Sequence, residues 1–134
     1  MKILSKSYLI SQTDRSSPIE EKIVLSGTHE WLPKLYASFQ DEKYLYLVME
    51  YAPGGDLQGL MERRQGHFTE QEAKFYIAEL ILAVESVHQL GYMHRDIKPG
   101  NILIDLYGHI KLGDLGSCIA IHTKVIYCYI YLYG

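Results

Sequence analysis

The chain has 134 residues, and 48% of them are hydrophobic, which is enough for one small globular domain with an ordinary core. A formal net charge of −3 and a pI near 6.0 argue against nucleic acid or an anionic membrane as the main partner. The two cysteines lack metal-ligand spacing, and no apolar run has the length of a membrane span. We therefore expect a soluble protein in the reducing cytoplasm, without a zinc site or a disulfide framework.

The first third of the chain predicts a small sheet accompanied by one helix. Met1–Leu4 is typical of the end of a strand, the polar stretch Ser11–Ser17 of a loop, and Pro18–Leu25 of a short helix with proline at its start. Apolar residues alternate in Leu35–Phe39, and Tyr44–Met49 is an almost continuous apolar and aromatic run. These two stretches predict a β-hairpin whose second strand is buried.

Helical signals dominate the middle of the chain. Asp56, after a Pro-Gly-Gly break, is placed to cap a short helix that runs through Arg64. The strongest helix signal covers Thr69–Leu90, because Thr69 and Glu72 have the spacing of a capping box and Gly91 supplies a stop. Its apolar residues recur at steps of three and four and predict a core-facing stripe: Ala73, Tyr76, Ile77, Leu80, Val84 and Val87.

A second hairpin is predicted from Ile102–Ile104 and His109–Leu112, which are short apolar strands separated by a turn that contains Gly108. No internal repeat is evident. A strand, a helix and two strands, followed by helices that carry a small hairpin, indicate an α+β chain with two lobes.

Between the long helix and the second hairpin lies an unusually dense group of polar residues, in the sequence GYMHRDIKPGNILID. It contains the pattern H-R-D-x-x-x-x-N as His94-Arg95-Asp96 and Asn101, and Asp114-Leu115-Gly116 follows thirteen residues after Asn101. Each motif alone is a weak signal. Their order and spacing together resemble the signature of protein kinase catalytic domains.

The resemblance implies an incomplete two-lobed α+β kinase fold and a phosphoryl transfer that depends on ATP and magnesium. Phosphoryl transfer concentrates charge on phosphate oxygens, so Asn101 and Asp114 are implied as oxygen ligands of the magnesium ion. Asp96 is implied to receive the proton of the substrate hydroxyl, and Lys98 to neutralise the transferring phosphate. Glu21 is implied to orient Lys2, which contacts the ATP phosphates.

The same resemblance assigns a nucleotide site. Met49 falls at the gatekeeper position, and the backbone of Glu50 and Ala52 is implied to bind adenine. Asp56 matches an acidic position near the ribose, and Leu103 is expected beneath the adenine ring. Four further residues fall at positions of the hydrophobic spine that links the two lobes: Leu25, Leu35, His94 and Leu115.

Within the kinases, the sequence is most similar to the AGC group, in the branch of the citron, Rho-associated and myotonic-dystrophy-related kinases. The Lys98-Pro99 dipeptide favours serine and threonine over tyrosine as acceptors. The resemblance implies a protein substrate and, through this branch, a Rho-type GTPase or cytoskeletal partners.

The resemblance divides the chain into a partial first lobe with hinge (1–52), a partial second lobe (53–118) and a tail outside the family pattern (119–134). The chain lacks the glycine-rich loop and the activation segment of the family pattern, so we expect a fragment with little activity. Gly100 replaces the usual acidic residue before Asn101, and Leu115 replaces the usual phenylalanine.

Two alternatives stay open at this point. The chain is either a piece of an active kinase or a non-catalytic, pseudokinase-like interaction module, although the retained Asp96, Asn101 and Asp114 argue for the former.

The run Val125–Tyr133 is uncharged, lacks proline and is rich in β-branched and aromatic residues, which is typical of a strand or an aggregation-prone segment.

Overall fold

The computed structural model describes residues 1–11, 18–27 and 29–121; the side chain of Ser11 and the predicted Val125–Tyr133 strand lie outside the described part. The helices are α1 (Lys6–Ser11), α2 (Pro18–Leu25), α3 (Leu57–Arg63) and α4 (Glu70–Gln89). The strands are β1 (Lys2–Ser5), β2 (Leu35–Gln40), β3 (Tyr44–Met49), β4 (Gly55–Asp56), β5 (Tyr92–Met93), β6 (Ile102–Ile104), β7 (Ile110–Leu112) and β8 (Ile119–Ala120). The α+β character is confirmed.

The first sheet is antiparallel with the order β1-β3-β2. The predicted hairpin of β2 and β3 is confirmed, and Asp41 closes its turn by accepting hydrogen bonds from the N–H groups of Lys43 and Tyr44 at 2.8 and 2.7 Å. The prediction that β3 is buried is wrong, because only Leu47 in it is buried. The aromatic rings of Tyr46 and Phe39 instead stack on a partly exposed face, with centroids 4.8 Å apart.

Helix α2 occupies the predicted range and carries Glu20 and Glu21 in its first turn, where a helix dipole favours negative charge. Its residues Glu21, Val24 and Leu25 are buried. Helix α1 was not predicted. It follows β1 without a break and ends at Ser11, whereas the rest of the predicted Ser11–Ser17 loop lies outside the described residues.

The predicted caps of α3 and α4 are both confirmed. Asp56 accepts a hydrogen bond from the Gly59 N–H at 2.7 Å. Thr69 and Glu72 form the reciprocal capping box. A hydrogen bond from the Arg64 side chain, followed by one from the Thr69 N–H, lowers the pKa of Glu72 to about 2.

The predicted stripe on α4 is wrong at Ala73 and Ile77, which are both exposed. Ile77 is 56% exposed, whereas Ala83, which a hydrophobic pattern weights weakly, is fully buried beside Val87. Tyr76, Leu80 and Val84 pack against the core as predicted.

The second sheet has the order β4-β6-β7, and it confirms the second predicted hairpin. Gly108 adopts φ 89° in the turn, a conformation that glycine adopts without steric cost. One core joins this hairpin to α2 and α4; its buried members are Val24, Leu25, Leu32, Ala83, Val87, Ile102, Ile110, Leu112, Leu115 and Cys118. Among the described helices, none is long and apolar enough to cross a membrane.

A buried carboxylate fastens α4 to the second hairpin. Glu79 accepts a hydrogen bond from the Ile110 N–H at 2.9 Å, and its other oxygen lies 2.6 Å from His109 Nδ1. The hydrogen bond to Glu79, followed by the charge of Glu79, raises the pKa of His109 above its ordinary 6.5.

This contact predicts a pH-dependent stability. Because the folded pKa of His109 is raised, the stabilisation is fully present below about pH 6.5 and is lost as pH rises through the folded pKa. We expect His109→Gln to remove that component. Thermal unfolding of both proteins from about pH 5.5 to pH 9 measures it, and a constant difference in Tm across that range contradicts the prediction.

Candidate active site

The first group of charged side chains joins three distant parts of the chain. Lys2 Nζ in β1 lies 2.8 and 2.9 Å from the two carboxylate oxygens of Glu21 in α2, and 2.7 Å from Asp114 Oδ1. The Glu21 side chain is only 2% exposed, whereas that of Lys2 is 27% exposed and that of Asp114 is 44% exposed. The lysine therefore connects a buried carboxylate to one that faces solvent.

The protonation of Lys2 depends on these partners. Burial by itself lowers the pKa of Lys2, but the charge of Glu21 and the hydrogen bonds to Asp114 and Glu21 outweigh it, so the pKa is raised above 10.5. The stabilisation is thus fully present below about pH 10.5 and is lost only as pH rises through the folded pKa. A Cβ at Gly116 would lie 3.3 Å from Glu21 Oε2 and 3.5 Å from Lys2 Nζ, so a residue without a side chain leaves room for the contact.

The second group lies in the loop between β5 and β6. Asp96 Oδ2 lies 2.7 Å from Lys98 Nζ and accepts a hydrogen bond from Asn101 Nδ2 at 2.9 Å. Asn101 Nδ2 also donates to the Asp96 carbonyl at 2.8 Å. Since both partners of this nitrogen are acceptors, the Asn101 amide has a defined orientation, with its oxygen turned away from Asp96.

The hydrogen bonds from Lys98 and then Asn101 lower the pKa of Asp96 below its ordinary 3.8. The stabilisation from this carboxylate is therefore present above about pH 3.8 and is lost as pH falls through the folded pKa. Within the described residues, Asp96 Oδ1 accepts no hydrogen bond. At neutral pH, Asp96 is thus an ionised acceptor with one oxygen available.

Backbone contacts hold the two groups together. The Gly113 N–H donates to the Asn101 carbonyl at 2.8 Å, and His94 Nε2 donates to the Gly113 carbonyl at 3.0 Å. His94 Nδ1 accepts from the Asp96 N–H at 3.2 Å, which defines the tautomer of this buried ring. The residue preceding Asp114 is therefore fixed to the loop that carries Asp96.

Backbone conformation marks the same two loops. Arg95 and Asp114 have φ values of 68° and 52°, in the left-handed region that residues with a side chain seldom adopt. Arg95 Nε donates to the Ser117 carbonyl at 2.7 Å, which ties one strained residue to the segment after the other. Such conformations concentrate at functional sites, because the surrounding contacts must hold them.

The predicted nucleotide residues lie at the junction of the two sheets. Met49 ends β3 and is partly buried against the core, and Glu50 and Ala52 follow it. Among the described residues, neither the Glu50 carbonyl nor the Ala52 N–H has a backbone partner. Asp56 pairs with Leu103 in the register of β4 and β6, which brings the exit of this segment beside the second hairpin.

The predicted spine residues converge on the core. Leu25, His94 and Leu115 are almost completely buried, and Leu35 packs against the same cluster from β2. The leucine at position 115 fills its buried position without any exposed surface. These contacts join the first sheet and α2 to the loops that carry Asp96 and Asp114.

The oxygen atoms of this site suit a magnesium ion that also binds phosphate. No group of three or more His, Cys, Asp or Glu side chains within residues 1–11, 18–27 and 29–121 could hold a metal ion. Magnesium usually takes only one or two carboxylates and completes its coordination with water and substrate phosphates. The Asp114 carboxylate and the side-chain oxygen of Asn101, which accepts no hydrogen bond from the described residues, fit that preference.

Three side-chain contacts, two in the site and one between α4 and the second hairpin, were not predicted from the sequence. These are the contact of Lys2 with Asp114, the His109–Glu79 contact, and an ion pair of 3.4 Å between Lys111 and Glu50. Each joins residues that are 30 to 112 positions apart, so no local pattern reports it. The family motifs do not predict these contacts either, because a sequence motif does not specify which distant side chains touch.

The fold and these two linked charged groups define a protein kinase domain. The chain matches the family described as "Protein kinase domain" over residues 1–131, and it belongs to that family. Members of this family use ATP and a divalent metal ion. The predicted kinase class is confirmed.

Curated relatives are similar along almost the whole chain. Citron rho-interacting kinase of Rattus norvegicus is 53% identical over 127 residues, which cover 94% of this chain and 6% of the relative. Citron Rho-interacting kinase of Homo sapiens is 52% identical over 125 residues, covering 92% of this chain and 6% of the relative. Serine/threonine-protein kinase MRCK gamma of Homo sapiens is 47% identical over 125 residues, covering 92% and 8%. The chain thus spans less than a tenth of the length of these relatives, and the predicted branch of the kinases is confirmed.

Proposed function

We propose that this chain contains the nucleotide-binding and catalytic residues of a serine/threonine protein kinase that transfers the γ-phosphate of ATP to a protein hydroxyl. One observation carries the proposal: Lys2 lies between Glu21 and Asp114, and Gly113 links this group to the loop of Asp96. A phosphoryl transfer needs positioned charges more than covalent chemistry, and this arrangement supplies them.

At the phosphate end of the site, the chain would position the triphosphate and its metal. Lys2 would donate hydrogen bonds to phosphate oxygens, and Glu21 holds its ammonium in place. Asp114 and Asn101 would hold a magnesium ion. When bound, magnesium neutralises charge on the phosphate oxygens.

At the acceptor end, Asp96 would accept the proton of the substrate hydroxyl through Oδ1. Its other oxygen is occupied by Lys98 and Asn101, and these contacts keep the carboxylate ionised at neutral pH. Lys98 lies beside the same carboxylate, where its ammonium would stabilise charge on the transferring group.

At the adenine end, residues 49–52, here called the hinge segment, would bind the base. The Glu50 carbonyl and the Ala52 N–H, which lack backbone partners among the described residues, would bond to the adenine edge. Met49 and Leu103 would border the space for the base, here called the slot, with Leu103 under the ring. Asp56 would contact the ribose through Oδ2, since its Oδ1 caps α3.

The acceptor and the partners are further parts of the proposal. The relatives bear the names serine/threonine-protein kinase and Rho-interacting kinase, which supports serine or threonine acceptors in a protein and a Rho-type GTPase as a partner. Cytoskeletal partners and a cytoplasmic location fit the same branch.

Incubation of the chain with radiolabelled ATP and magnesium tests the proposed reaction. The acceptors are peptides that each offer only serine, threonine or tyrosine as a hydroxyl. We expect weak labelling of the serine and threonine peptides, and no labelling with Asp96→Asn. Exclusive labelling of tyrosine contradicts the proposed specificity, and a folded chain that binds a protein partner but no nucleotide supports the interaction module.

A further inference from the structure

The carboxylate of Glu50 connects three segments at the hinge. Its Oε2 accepts a hydrogen bond from the Lys34 N–H at 3.1 Å and lies 3.4 Å from Lys111 Nζ. The Glu50 N–H also donates to the Lys34 carbonyl at 2.8 Å. The hinge segment is therefore bonded both to the residue before β2 and to a strand of the second sheet.

This ion pair is enclosed in a way that surface pairs are not. The Lys111 side chain is 17% exposed and that of Glu50 is 31% exposed, whereas the members of the Lys74–Glu70 pair on α4 are 73% and 80% exposed. Partial burial weakens solvent screening, so at a given distance the charges of Lys111 and Glu50 attract each other more strongly than those of an exposed pair.

The alternation of side chains along β7 determines the face of the strand on which Lys111 lies. Ile110 and Leu112 are buried in the core, and side chains alternate along a strand, so Lys111 emerges on the opposite face of β7. Its cross-strand neighbour is Leu103, the residue proposed to lie under adenine. The pair thus fastens the second hairpin to the hinge segment, whereas the Lys2–Asp114 contact fastens β1 to the residues that follow β7.

We propose that Lys111 is a positioning residue for nucleotide binding, which acts through Glu50 to fix the spacing between the hinge segment and Leu103. This inference rests on the proposed function. Adenine must meet the hinge backbone on its edge and Leu103 on its face at once. If the spacing of the hinge segment and Leu103 is already fixed in the free protein, adenine binds more tightly, because less conformational entropy is lost on binding.

Calorimetric binding of Mg-ATP and of adenosine to the full chain tests this role. We expect Lys111→Gln to weaken both ligands by a similar factor of about 3 to 10, because the effect concerns the adenine end. Lys111→Arg retains the charge and is expected to retain the affinity. Lys74→Gln removes an exposed pair of the same chemistry and is the matched control, with unchanged affinity.

The companion variant Asp114→Asn distinguishes the two ends of the slot, since it should weaken Mg-ATP and leave adenosine binding unchanged. If Lys111→Gln lowers Tm without ligand but leaves both affinities unchanged, or weakens Mg-ATP alone, the inference is wrong while the proposed function stands. If the unaltered, folded chain binds neither ligand, both fail.

Discussion

Replacing Asp96 by asparagine is expected to lower kcat for phosphoryl transfer by about 10²- to 10⁴-fold, the usual range for loss of a general base. The amide has the same shape as the carboxylate but cannot accept the hydroxyl proton. The KM for ATP should stay within about twofold, because the contacts of Asp96 are to Lys98, Asn101 and His94 and not to the hinge segment. Steady-state kinetics with varied ATP measures both quantities.

A matched control for this variant is Asp41→Asn. Asp41 is an exposed aspartate that forms a turn in the first hairpin, and asparagine forms the same kind of turn. Its kinetics should equal those of the unaltered chain. A rise in KM with unchanged kcat in Asp96→Asn would assign Asp96 to binding and contradict the proposed role.

The second large effect concerns stability. Lys2→Met is expected to lower the free energy of unfolding by roughly 3 kcal/mol, the lower end of the range for removing one partner of a buried ion pair. The cause is that Glu21, which is 2% exposed, would keep a charge without its cation, while the 27% exposure of Lys2 moderates the loss. Urea unfolding at neutral pH measures the difference.

A double variant separates the buried charge from lost packing. Lys2→Met with Glu21→Met replaces the pair by apolar side chains of similar length, and we expect it to recover most of the stability while nucleotide binding stays lost. Lys74→Gln, at an exposed pair, should change the free energy of unfolding by less than about 0.5 kcal/mol. A double variant as unstable as Lys2→Met would show that the unpaired carboxylate is not the cause.

Local patterns in the sequence were sufficient for several elements. The capping box of Thr69 and Glu72, the cap at Asp56 and the two hairpins depend on residues within a few positions of each other, and the structure contains all of them. The failures have physical reasons. Ile77 has the spacing of the core stripe but lies at its margin. Helix α1 has only six residues, so the serine at its start, Ser5, which accepts a hydrogen bond from the Tyr8 N–H at 3.5 Å, was too weak a signal to indicate it.

The site was predictable to a different extent. Proximity of Lys2 and Glu21 followed only from resemblance to a family, because a lysine in a strand and a glutamate at a helix start are common. The Glu50–Lys111 and Glu79–His109 contacts arise where separate elements pack together, so their partners cannot be deduced from spacing.

Binding of ATP with and without magnesium tests the central claim most directly, namely that the two charged groups form a nucleotide site. We expect ATP to raise Tm far more with magnesium than without it, with a stabilisation of about 2.7 kcal/mol at a hundredfold excess over Kd. Asp114→Asn should remove this shift, whereas Asp41→Asn should retain it. An equal shift in Asp114→Asn, or no shift from a folded chain with magnesium and ATP, would contradict the account.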